Sequence, residues 1–154
     1  IAPQSIDEVF EIVQWYTVHW EIEIFFKVLK SGCGIEKIQF EAVNRLANYI
    51  ALFCVFAWKV LYLTRLGETC GHLPASLSFT EIEWRLAYAK ARLQKPPTDV
   101  PSLQEIIDCI TKLGGHLNRK HDDPPGPKTF WKGLIKLHDM CIGFLIAQEF
   151  NLNC

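Results

Sequence analysis

The 154-residue chain lacks several features that would settle its class at once. It has no charge excess: 16 Lys and Arg against 17 Asp and Glu leave a formal net charge of −1. Bulk charge thus argues neither for nor against nucleic acid, and any DNA contact must come from local clusters such as Lys27 with Lys30, or Asn118 to His121. It has no C-x-x-C pair. Its six cysteines, at 33, 54, 70, 109, 141 and 154, are scattered, and Cys54 and Cys141 sit inside apolar helical patterns. That distribution predicts reduced, packed thiols in a cytosolic protein and not a disulfide framework. Cys70 and His72 have no second pair at matching spacing, which argues against structural zinc. No basic start with an apolar run behind it marks a signal peptide. The run "YIALFCVFAW" ends at Lys59, short of the about 20 residues a membrane span needs, and reads as a buried core helix. Repeats, low-complexity tracts and convincing strands are missing too. The chain opens on Ile1 and not on Met, so a piece of a longer protein is expected.

What is present is helix. Ser5 and Glu8 form an S-x-x-E box ahead of an apolar run, and predict a first helix from Ile6 to Lys30 that stops at the glycines of "SGCG". A second helix is expected from Ile38 to Leu66, ended by Gly67. A third runs from Thr80 to Leu93, started by Ser78/Glu81 or Thr80/Glu83. Ser102 caps a fourth, to Leu113, with Glu105 at the box position. A loop rich in Gly and Pro leads to a fifth, from Thr129 to Phe150, whose apolar positions from Trp131 to Ile146 recur at helical spacing. The chain reads all-α. Its first two helices are too apolar to be covered by the others, so a sheet on the N-terminal side or a partner chain is expected against them.

Within the first helix, "YTVHWEIEIFFKVLK" is apolar on most sides. Tyr16, His19, Glu23, Lys27 and Lys30 recur at steps of three and four and share roughly a quarter of the circumference. A carboxylate among cations in an apolar setting is costly to maintain without a use. The same Glu23 and Lys27 at i, i+4 also make an ordinary surface ion pair, worth a few tenths of a kcal/mol. Geometry leaves both readings open.

The spacing resembles the signature of the DDE transposases of bacterial insertion sequences: Tyr, Arg three on, Glu seven on and Lys fourteen on, the YREK pattern of the Tn-five-like group. Tyr16, His19, Glu23 and Lys30 stand at those places. The segments "WEIEIFFKVLKSGC", "RLANYIALFCVFAWKVLYLTRLGE" and "KLGGHLNRKHDDPPGPKTFWKGLIKLHDM" also look like the family, so the resemblance covers nearly the whole chain. It implies the terminal helices of an RNase H-like catalytic core over residues 1–66, followed by a helical dimerisation domain over 67–154. It implies that Glu23 is the third acid of the catalytic triad and helps hold Mg²⁺ or Mn²⁺. Lys27 and Lys30 would meet phosphates near the scissile bond, while Tyr16 and His19 would hold the transposon end. The implied activity is metal-dependent cut-and-paste transposition by a bacterial cytoplasmic homodimer acting on transposon-end and target DNA, with no membrane role. The other two acids would precede Ile1, so the chain alone is expected to be inactive.

His19 departs from the pattern. A forked, permanently charged Arg grips a phosphate in a way that an imidazole does not. The departure implies weaker grip on the DNA end or a decayed element. Two other readings accompany this one: a truncated, non-catalytic transposase that dimerises with the full-length protein and inhibits it, and an unrelated helical interaction module whose stripe is a surface ion-pair ladder.

Overall fold

A computed structural model describes residues 5–32, 34–117, 119 and 125–150. Five α-helices run through them: α1 (Ile6–Lys27), α2 (Val43–Cys70), α3 (Glu81–Arg92), α4 (Leu103–Leu113) and α5 (Pro127–Glu149). Among the described residues there is no strand, only an isolated antiparallel bridge between Pro74 and Ser102. The all-α expectation holds. The chain divides into two compact units, Ile1–Trp58 and Lys59–Cys154.

In the first unit, α1 starts where expected. The Ser5 side chain accepts from the Glu8 backbone N–H at 3.2 Å, satisfying one donor of the first turn. The helix does not run as one α-helix to Lys30: after Lys27 it widens into a π-helical turn, Val28–Gly32. No residue of α1 is buried, and Phe10, Trp15, Val18, Trp20 and Phe26 are all exposed. The expected packing on most sides is therefore not supplied by the described residues. Val28 and Leu29, in the π turn, are the buried pair. A short 3-10 turn (Ile35–Lys37) follows from Gly34, whose φ of 67° suits a residue without Cβ. Phe40, Tyr49, Phe53 and Phe56 form a ladder of rings with centroids 4.3–5.8 Å apart, which ties the approach to α2 against that helix.

The second helix begins five residues later than expected and runs through Gly67 to Cys70. Gly67 is not a stop. A Cβ there would lie 2.5 Å from Ile107 Cδ1, so its bare backbone lets the side chain of Ile107 approach. By length and composition α2 could cross a membrane, with a mean hydropathy of 1.7 over its most apolar stretch and only 17% of that stretch buried. Leu52, Val55 and Trp58 are exposed, so the described residues do not bury this stretch of the helix as the sequence suggested. Lys59 interrupts its middle, and Val60 and Leu63 beyond it are buried in protein.

The second unit has a proper core. Trp84 and Ala87 of α3, Leu103, Ile106 and Ile110 of α4, and Phe130 and Leu137 of α5 are almost fully buried. Thr80 and Glu83 cap α3 reciprocally, so the second of the two candidate boxes is the one used. Ser102 accepts from the Glu105 N–H at 3.3 Å and starts α4 as expected. The connector is sewn to that start by Leu103 N–H to Leu73 O (2.7 Å) and Ala75 N–H to Pro101 O (2.9 Å). At the far end, Lys136 Nζ of α5 donates to the Leu113 carbonyl at 2.8 Å, satisfying an orphan acceptor of α4. Pro127 begins α5, two residues before the expected Thr129, because a proline at the first helical position loses no hydrogen bond.

Helices α4 and α5 meet at Gly133, where a Cβ would lie 1.9 Å from the Ile110 carbonyl oxygen. Gly143, later in the same helix, has open space around it. Gly133→Ala should destabilise the chain by about 3 kcal/mol or more, since backbone must move. Gly143→Ala should instead stabilise it by up to about 1 kcal/mol. Urea denaturation of both variants distinguishes a close-packed crossing from a loose one.

Cys54, Cys70, Cys109 and Cys141 are free thiols, as the scattered cysteines predicted; Cys33 and Cys154 lie outside the described residues. Burial pushes the Cys109 thiol above its ordinary value of 9.0, against the smaller pull of the Arg92 hydrogen bond and charge. Burial also raises Cys141, with Glu83 adding to it. The folded chain therefore keeps protons that the unfolded chain releases. This stabilisation is complete below the ordinary thiol value near 9.0 and is lost as pH climbs through the raised folded values. Melting temperature should hold below the ordinary thiol value of 9.0, fall as pH rises beyond it, and fall less in a Cys109→Ala variant.

Candidate functional site

The stripe singled out in the sequence lies on α1 and the turn after it. Tyr16, His19, Glu23, Lys27 and Lys30 are all exposed. Tyr16 is 65% exposed, enough to present its ring and hydroxyl to a partner. His19 Nε2 stands 3.4 Å from Glu23 Oε1, one helical turn on, with both side chains more than half exposed. So the structure brings two members of the stripe into contact. Lys27 closes the α-helix, and Lys30 lies in the π turn.

That turn changes the geometry. A π turn spaces its hydrogen bonds five residues apart, so each residue advances less around the axis than in an α-helix. Lys30 is thereby rotated away from the line through Tyr16, Glu23 and Lys27. Its ammonium meets Glu36 Oε1 of the 3-10 turn at 3.6 Å. Glu36 was not singled out from the sequence, because a partner six residues on across a change of helix type has no periodic signal. Trp20, one residue after His19, is half exposed, while Trp84 and Trp131 are core residues.

Glu23 is an accessible carboxylate, the hard oxygen donor that Mg²⁺ or Mn²⁺ prefers. Among the described residues no three His, Cys, Asp or Glu side chains gather into a group that could hold a metal. Glu23 is therefore one suitable donor, and a complete cage is not assembled by the described residues. In the sequence His116 and His121 stand near Asp122 and Asp123 but without regular ligand spacing, and residues 121–123 lie outside the described residues. Lys37 and Arg45 are exposed, the usual setting of surface charges.

A second surface is on α5. Phe130, Leu137 and Cys141 face the core. Ile135, Ile142 and Ile146, well round the helix from that face by helical rotation, and Leu145 at its margin are 43–49% exposed. The sequence pattern merged the two faces, since apolar residues on both sides of one helix blur into a single broad stripe.

Comparison with known families gives two matches in chain order. Residues 4–58 match the family described as "Transposase DDE domain". Residues 55–151, well over half of the chain, match "Transposase Tn5 dimerisation domain". The first match contains the whole Tyr16–Lys30 stripe, and the second contains the α3–α5 core and the exposed face of α5. The chain belongs to the DDE transposases of the Tn5 type and corresponds to the C-terminal portion of such a protein, DDE-domain sequence followed by the dimerisation domain.

Proposed function

We propose that the chain supplies the third catalytic acid and the dimerisation region of an enzyme that moves DNA by metal-dependent cut-and-paste transposition. The observation that carries the reading is Glu23, an exposed carboxylate one helical turn from His19 and from Lys27 on α1, inside the residues that match the DDE domain. Residues 1–66 act in the catalytic core and 67–154 in dimerisation. Glu23 would help hold Mg²⁺ or Mn²⁺ together with acids from elsewhere in the protein. When bound, such ions supply activation of an attacking hydroxyl and stabilisation of the leaving oxygen of a phosphodiester. Lys27 and Lys30 offer ammonium groups to phosphates near the cleaved bond, and Tyr16 and His19 hold the transposon end. Lys30 must exchange Glu36 for phosphate to do so, a small cost for an exposed pair. The site of action is the bacterial cytoplasm, on transposon-end and target DNA.

The uncovered apolar surface of α1 and of the first half of α2 supports the same reading. Large side chains such as Phe10, Trp15, Leu52 and Val55 need cover, and an RNase H-like sheet would provide it. The chain on its own is expected to cleave no DNA. Family membership sets aside an unrelated helical module; a truncated inhibitory transposase would share the dimerisation face and lack the activity.

Two measurements test the proposal. Glu23→Gln in the complete transposase should abolish strand cleavage while leaving stability within about 0.5 kcal/mol, because the side chain is on the surface. Retained cleavage would remove Glu23 from the active site. Replacing Ile142 and Ile146 by Glu should weaken self-association at least about 30-fold in sedimentation experiments, as for loss of an interface hot spot. Unchanged association would place the dimer face elsewhere.

A further inference from the structure

The geometry points to a two-residue chelate, His19 with Glu23, that takes a borderline transition-metal cation such as Zn²⁺ through one imidazole nitrogen and one carboxylate oxygen. The inference deepens the proposed function and rests on it for the role of Glu23. His19 Nε2 and Glu23 Oε1 are 3.4 Å apart, toward the long end for a hydrogen bond. A zinc ion about 2.1 Å from each donor at a tetrahedral angle would separate them by about 3.4 Å, so the pair is already at the bite of a chelate. Both groups are more than half exposed, which leaves room for water or a further donor to complete the shell. The i, i+4 spacing on α1 holds the two Cβ atoms on one face, so chelation needs no change of backbone.

The chemistry favours a different ion from that of an all-oxygen site. A carboxylate alone suits Mg²⁺, whereas adding an imidazole shifts preference toward Zn²⁺, Ni²⁺ or Cu²⁺. An Arg at position 19 has no lone pair to give and cannot ligate at all. His19 thus adds a donor to the position that the resemblance assigns to DNA grip.

The test uses the full chain with ¹⁵N-labelled histidine, titrated with Zn²⁺ and followed by the side-chain nitrogen resonances. The His19 Nε2 resonance should move on titration, and Glu23→Gln should weaken that binding at least about tenfold, as removal of a ligand exceeds the loss of a supporting contact. An unmoved His19 resonance, or a shift of equal affinity in Glu23→Gln, overturns the inference. Activity separates the two ideas. If Glu23→Gln abolishes cleavage by the complete transposase while Zn²⁺ leaves His19 unmoved, the chelate falls and the proposed function stands. If Zn²⁺ binds His19 through Glu23 but Glu23→Gln cleaves normally, the chelate stands and the catalytic role falls.

Discussion

The close approach of α4 to its surroundings is the constraint on which the C-terminal unit depends. The helix touches α5 backbone to backbone at Gly133 and receives the side of α2 at Gly67. Neither position admits a Cβ without displacing a neighbour, so the crossing is set by residue size and not by polar contacts. Around that fixed geometry Ile106, Ile110 and Phe130 are sealed from water, which at about 25 cal/mol per Å² is the dominant favourable term for so small a core. The caps at Thr80 and Ser102, and the Lys136 contact to the Leu113 carbonyl, then satisfy the helix ends that this packing leaves exposed or half buried.

The N-terminal unit is governed by the opposite condition. Its helices are more apolar than those of the C-terminal unit, yet α1 buries nothing. An amphipathic helix places its polar residues toward water and the rest toward protein. On α1 both sets face outward in this chain, so the polar stripe has meaning only relative to whatever covers the other faces. That cover decides which face of α1 is left in contact with water.

Much of this was legible in the sequence. Ser5, Thr80 and Ser102 announced three helix starts because a short oxygen side chain three residues before an acid has one dominant local use. The all-α class followed from the 3.6-residue spacing of apolar positions. Gly67 misled because a glycine after an apolar run signals a helix end in most settings, and only the tertiary neighbour Ile107 gives it another purpose. The π turn after Lys27 was invisible, since no residue type encodes the wider turn. Of the candidate site, Tyr16 to Lys27 could be placed by periodicity, while the pairing of Lys30 with Glu36 could not. The exposed face of α5 was hidden for another reason: a helix apolar on two sides gives a weak directional signal.

The dependence of α4 on α5 bears on how reading frames of this kind decay. A frameshift or stop ahead of α5 would remove Phe130 and Leu137 from the core and the ammonium that closes α4. What remained would be the end of α2 with α3 and α4, their α5-facing side chains in water, a poor folding unit and a ready substrate for proteolysis. Loss of the last helix would therefore erase the domain instead of trimming it, and a shortened copy that persists in a cell should be one that was cut from the other end.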